Sequence, residues 1–207
     1  MAAEKSISTV KRETDLQTIS EWIEPGSRVL DIGCGRGILL EQLRQKRNVK
    51  GLGVDIDAEK IGACVKRGVP VYQGDAEALM RTFDDGHFDW VILSRTMQEM
   101  ENPERVLREA LRVGRKLAVG FANQGYWRNR VCTLRTGAIG REETQRKPWP
   151  QSSPENPVGV TEFEAFCVQN KLRILHRQFL ARDMKRKVSC LPSLRAAYAL
   201  YAVSRAE

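Results

Sequence analysis

The sequence predicts an α/β fold: a doubly wound, mostly parallel β-sheet with helices on both faces. Three observations predict it. Short apolar runs alternate with segments of helical period from Arg28 to Phe121, the pattern of strands joined by crossover helices. A glycine-rich turn, Gly33-Cys34-Gly35-Arg36-Gly37, directly follows the first run. Acids stand at or just past the ends of three successive runs, as Asp31, Asp55 and Asp75.

An N-terminal helix is expected over residues 12–24, with Leu16, Ile19, Trp22 and Ile23 on one face, Thr14 and Gln17 as a capping box, and Pro25-Gly26 as the stop. The core, 28–122, then carries strands at Val29-Leu30, Gly51 to Val54, Val69 to Tyr72, Phe88 to Leu93 and Leu117 to Phe121. Between them, Leu39, Leu40 and Leu43 share one helical face, as do Ile61, Cys64 and Val65 ahead of Gly68. A third helix holds Val106, Leu107, Ala110 and Leu111 behind Asn102-Pro103, with Asn as cap and Pro at the first helical position. Crossovers of this kind are right-handed in nearly all cases, which leaves a doubly wound sheet as the natural topology.

Residues 123–207 read as less regular. The 137–160 segment holds Pro148, Pro150, Pro154 and Pro157, and a connection of that length is expected to be a functional lid or disordered. Thr161 with Glu164 reads as a second capping box, opening a helix with Phe163, Phe166 and Cys167 on one face. Leu172 to Phe179 and Ala197 to Ser204 read as two last strands, the second ambiguous with helix.

At 207 residues, 42% apolar and 29% charged, the whole chain, 1–207, is expected to form one domain. No run approaches the roughly 20 apolar residues that span a bilayer, and Glu4, Lys5 and Arg12 stand where a signal peptide needs an apolar stretch. A cytoplasmic protein without membrane contact is expected. The five cysteines are scattered without a C-x-x-C pair and only His87 and His176 offer imidazoles, so buried free thiols are expected rather than a metal site. Residues 1–124 hold 19 Lys/Arg against 19 Asp/Glu, and residues 125–207 hold 15 against 7. That basic excess reads as a solvated face more readily than as a nucleic-acid surface, because no aromatic interleaving accompanies it.

The chemistry concentrates at Val29 to Gly37, which ends a strand and opens a helix. Glycine lets backbone amides approach a ligand closely. A dinucleotide fingerprint, G-x-G-x-x-G, would place a third small residue where Ile38 stands. An acid just before the glycines, Asp31, suits a cationic ligand and repels a pyrophosphate. Asp55 closes the next strand 18 residues after Gly37, where a carboxylate can accept hydrogen bonds from both hydroxyls of a ribose.

The string Asp31-Ile32-Gly33-Cys34-Gly35-Arg36-Gly37 resembles motif I of the class I S-adenosylmethionine (SAM)-dependent methyltransferases, a Rossmann-like fold. The resemblance places Asp31, Gly33, Cys34, Gly35 and Gly37 around the methionine end of SAM or its product form, S-adenosylhomocysteine. It places Asp55 and Ile56 at the nucleoside, Gly74-Asp75-Ala76 at the adenine, and Ser94 at the end of the fourth strand, Phe88 to Ser94. More closely, Val29 to Leu40, Ala63 to Gly68, Gln73 to Ala76 and Phe121 to Arg128 resemble the MetW family of methionine-biosynthesis proteins. That resemblance implies a SAM-methyltransferase fold acting in homoserine O-acylation beside a partner acyltransferase of the MetX type.

Three functions fit the sequence. The first is a SAM-binding accessory or regulatory subunit of a homoserine O-acyltransferase. The chain lacks that enzyme's own G-x-S-x-G elbow. The second is an independent small-molecule methyltransferase, with Tyr126, Trp127 and Arg128 near the acceptor; those three equally fit a helix whose apolar face continues through Val131 and Leu134. The third is a nucleic-acid-binding methyltransferase using the basic C-terminal part. Strand four runs into Ser94-Arg95-Thr96-Met97, not the Pro-Pro-aromatic motif of amino methyltransferases, so DNA base methylation is disfavoured. No residue is singled out as catalytic.

Overall fold

Seven strands of the computed structural model form one sheet in the order β3-β2-β1-β4-β5-β7-β6. The structure describes residues 7–137 and 156–206, with side chains from Thr14 onward. β1 (Arg28–Ile32), β2 (Lys50–Asp55), β3 (Val71–Gln73), β4 (Phe88–Ser94) and β5 (Gly114–Ala122) run parallel. β7 (Tyr198–Arg205) pairs antiparallel with β5 on one side and with β6 (Leu172–Leu180) on the other.

Alternation along the strands sorts the apolar residues onto two faces. Leu30, Ile32, Val91, Leu93, Leu117 and Val119 face α5 (Pro103–Val113) and α7 (Val160–Gln169), together with Met80 of α4 (Ala76–Met80). Val29, Trp90, Ile92 and Ala118 face the other layer. There they meet α1 (Ile7–Trp22), α2 (Ile38–Arg47) and α3 (Ala58–Lys66), through Ile19, Leu40, Leu43 and Cys64, with Ile23 just past the end of α1. With helices on both faces of a mostly parallel sheet, the fold is the doubly wound α/β class. Two further helices are α6 (Trp127–Thr136), which follows β5, and the short α8 (Pro192–Arg195), which packs against α7. No helix among the described residues is long and apolar enough to cross a membrane.

Local signals held where nothing distant competed with them. Asn102 caps α5, its side chain accepting from the Arg105 amide at 3.1 Å, with Pro103 at the first helical position. The two capping boxes do not form. Helix α1 starts at Ile7, so Thr14 lies within it and its carbonyl accepts from the Thr18 hydroxyl at 3.0 Å. Gln17 reaches instead to Glu21, one turn on, at 3.3 Å. Helix α7 starts after Gly159, which makes no side-chain cap. Its Glu164 accepts from the Tyr201 hydroxyl at 3.0 Å and pairs with Arg177 at 3.3 Å. A buried phenol needs a polar partner, and that demand outweighs a cap.

Residues 198–204, ambiguous between strand and helix in sequence, form a strand buried almost throughout between two neighbours. Enclosure on both faces produces a continuous apolar run without period. Most of the 137–160 segment, including Pro148, Pro150 and Pro154, lies outside the described residues. Where the chain is described again, the Asn156 amide bonds to the Gln98 carbonyl at 2.7 Å and the Gln124 amide to the Val158 carbonyl at 3.0 Å.

Candidate functional site

The chain leaves β1 toward β2 and β3 and then returns to β4 on the opposite side of β1. The crossovers therefore diverge outside the carboxyl ends of β1 and β4 and leave a crevice there, the usual ligand position in open α/β sheets. A cleft of about 290 Å³ occupies it.

The glycine turn forms the cleft's floor by close backbone approach. The amides of Gly33 and Cys34 both donate to the Val54 carbonyl, at 2.8 and 3.1 Å, tying the turn to β2. Gly33 has φ +70°, and a Cβ there would lie 2.3 Å from the Thr96 hydroxyl oxygen. Gly37 has φ +71°, and a Cβ there would lie 2.9 Å from the Cys64 sulfur. Both positions exclude other side chains by conformation and by space.

Two carboxylates end the flanking strands. Asp55 is well satisfied: one oxygen accepts from the Gly35 amide at 2.9 Å, the other from the Asp57 amide at 3.0 Å, and Lys60 lies 3.8 Å away. Asp31 is different. It is 4% exposed, and among the described residues no hydrogen bond reaches its carboxylate. Burial first, and the neighbouring Asp55 charge second, push its pKa up to about 7. Among the described residues no cation offsets that penalty.

Of the residues singled out in the sequence, Asp31, Gly33, Cys34, Gly35, Asp55 and Ser94 all line the cleft. The others lie outside its walls. Gly37 opens α2, and Ile56, next to Asp55, is 78% exposed. The Gly74 amide donates to the Asp55 carbonyl at 3.1 Å. Asp75 caps α4, accepting from the Ala78 amide at 2.8 Å, and Ala76 is that helix's first residue.

The structure adds Asp15, Lys60, Thr96 and Glu99 to the cleft walls, and joins Arg95 to Asp15. Arg95 Nε donates to Asp15 Oδ2 at 2.7 Å, and the guanidinium lies 5.0 Å from the Tyr198 ring centroid. Burial raises the Asp15 pKa despite Arg95. A signal for Asp15 existed in the sequence. It stands four and eight residues before Ile19 and Ile23, so an acid lies on the buried face of α1.

A family model described as "Methionine biosynthesis protein MetW" matches residues 13–203. The chain belongs to the MetW family. A relative from Rhodopirellula baltica, "Bifunctional methionine biosynthesis protein MetXA/MetW", is 37% identical over 127 residues, which cover 58% of this MetW-family chain and 20% of the relative. A Methanocaldococcus jannaschii protein, MJ1123, is 33% identical over 103 residues, 48% of this chain and 47% of that protein. The MetW-family chain thus spans half or less of the length of these curated relatives.

Solved structures show the fold. A SAM-dependent methyltransferase from Archaeoglobus fulgidus superposes with TM-score 0.68 at 17% identity, covering 97% of this chain and 95% of that one. Magnesium protoporphyrin IX methyltransferase from Synechocystis, solved with S-adenosylhomocysteine bound, gives TM-score 0.68 at 15% identity over 100% of this chain and 89% of the other. The fold of the MetW-family chain is that of the class I SAM-dependent methyltransferases.

Proposed function

We propose that this chain binds SAM in the β1/β4 crevice and serves as an accessory, regulatory subunit of a MetX-type homoserine O-acyltransferase in the cytoplasm. The observation that carries the ligand is the unpartnered Asp31 carboxylate facing a cleft floored by the glycine turn. A sulfonium or ammonium group supplies the missing positive charge, and a pyrophosphate would deepen the deficit. Asp55 keeps lone pairs for ribose hydroxyls beyond the two it gives to Gly35 and Asp57. The exposed side chain of Ile56 covers one adenine face, Gly74, Asp75 and Ala76 flank the base, and Ser94 and Thr96 meet the amino-acid end. Bound SAM supplies a polarised methyl sulfonium, while the chain's own residues hold and desolvate it.

The partner reading rests on family membership and on the Rhodopirellula baltica relative, whose description joins MetXA and MetW. SAM derives from methionine, so a SAM-responsive subunit would report end-product supply to an early acylation step. Such control requires SAM to bind free and assembled forms with different affinity. Calorimetry with SAM is expected to show binding to the wild-type chain and a weaker signal for Asp55→Ala. SAM titrated into a mixture with the acyltransferase is expected to change association or acylation rate, and unchanged values for both would reject the regulatory role.

One observation favours an independent small-molecule methyltransferase. Glu99 lines the same cleft as Asp31 and offers a carboxylate to a protic acceptor. Label transferred from SAM to a component of a cell extract would support that reading over the accessory role.

A further inference from the structure

We propose that α6 is the surface by which this chain docks on the acyltransferase, its apolar stripe entering an apolar groove edged by carboxylates. This rests on the partner reading above and adds where the partner sits. Trp127, Val131 and Leu134 are 43%, 38% and 85% exposed. Their spacing of four and three residues puts them on one helical face. No residue of α6 is buried, although the helix is ten residues long. Isolated helices shorter than roughly 12–15 residues are marginal in water, and most helical stability comes from packing an apolar face.

Among the described residues, α6 is anchored at its root. Asn129 Nδ2 donates to the carbonyls of Asn123 and Gln124, at 3.4 Å each, and Arg130 Nε donates to the Gly125 carbonyl at 2.8 Å. Gly137, in the left-handed conformation, closes the far end. The result is a pre-ordered helix with a partly exposed apolar stripe, which lowers the entropy cost of docking.

Charge selects the occupant. The helix carries Arg128, Arg130 and Arg135 and no acid, and Arg128 stacks 5.2 Å from the Trp127 ring centroid. A second copy would set arginines against arginines. A groove edged by Asp and Glu would pair with them and take the stripe at its centre, the helix-in-groove mode of recognition. The relative that unites MetXA and MetW in one chain shows that such domains occur tethered together, which raises the effective concentration of any contact between them.

The position of α6 links docking to the cleft. Thr96 packs against Gly33 in the cleft floor. Two residues on, Gln98 grips Ala122, its Nε2 donating to the carbonyl at 3.2 Å and its Oε1 accepting from the amide at 3.0 Å. Asn123 follows, holding Gly125 through its side chain at 3.0 Å ahead of the α6 root. A ligand that shifts the 94–100 segment therefore acts on the base of the docking helix.

The test uses the full chain and the acyltransferase, with association read by calorimetry and folding by thermal melting. Leu134→Asp, and separately Arg128→Glu with Arg135→Glu, are expected to weaken association at least tenfold without changing the melting temperature. Val168→Asp, on the 78% exposed apolar residue of α7, is the control and is expected to leave association unchanged. If the wild-type chain associates and Leu134→Asp associates equally well, or Val168→Asp weakens it as much, the docking surface is overturned and the partner reading stands. If the wild-type chain does not associate, both fall. If Leu134→Asp instead dissolves a homodimer seen by sedimentation, the occupant is a second copy and the proposal is overturned.

Discussion

Two buried polar corners lie at the same end of the sheet and are treated in opposite ways. Asn123, 1% exposed, is saturated. Its Oδ1 accepts from the amides of Gly125 and Val160 at 3.0 and 3.3 Å, and its Nδ2 donates to the Ala196 and Ser193 carbonyls at 2.8 and 3.1 Å. Asp31, 4% exposed, has no such partner among the described residues, and the charge that acts on it is another carboxylate, Asp55. Because nearly all buried polar groups in folded proteins are satisfied, the difference separates roles. A saturated corner joins elements of the architecture, here the chain after β5, α7 and α8. On the proposed reading, the unsaturated one is kept for the bound cation.

The largest effect should come from the saturated corner. Asn123→Ala strands the Gly125 and Val160 amides and is expected to cost roughly 3 kcal/mol in urea denaturation, with an unchanged slope. A cost below about 1 kcal/mol would erase the contrast.

Next comes Asp31→Asn, which removes a charge that the free protein buries without compensation. At pH 8 it is expected to stabilise the unliganded chain by roughly 2 kcal/mol and to weaken SAM binding about tenfold or more. The sign follows from proton affinity. The folded state holds the Asp31 proton up to about pH 7, whereas the unfolded chain releases it near the ordinary carboxylate value of 3.8. The wild-type chain therefore loses stability as pH rises from about 4 through about 7, and the Asn variant does not lose this part of it. Affinity for a cationic ligand runs the other way and rises across that upper boundary; a SAM affinity flat from pH 6 to 8 would mean that Asp31 does not face the cation.

The smallest effects compare two caps. Asn102→Ala should cost about 1 kcal/mol in thermal or urea melts. Thr161→Ala should cost less than about 0.5 kcal/mol, since α7 does not use it as a cap.

The sequence revealed the parallel half of the molecule because its first four strands each end at a local mark: Asp31 and the glycines, Asp55, Gly74-Asp75, and Ser94. Asn102-Pro103 was legible for the same reason, since cap and amide lie three residues apart. What stayed hidden depends on partners far along the chain. Asp15 meets Arg95 across 80 residues, Gln98 grips Ala122 across 24, and Asn123 holds Ala196 across 73. Thr161 and Glu164 carry the letters of a capping box, but Tyr201 claims Glu164 from 37 residues away. Six of the predicted site residues converge on the cleft, while Gly37, Ile56, Gly74, Asp75 and Ala76 stand around it. The turn residues support the floor, and the strand ends form the walls.

The insertion of β7 between β5 and β6 sets an order of events during synthesis. β6 leaves the ribosome first, yet its sheet neighbour is the strand made after it. Until Tyr198–Arg205 emerges, both the flank of β5 and the whole of β6 present unpaired amides and carbonyls, the templates on which chains stick to one another. The nascent protein is therefore most vulnerable to aggregation in the interval between the emergence of β6 and the emergence of this strand from the ribosome.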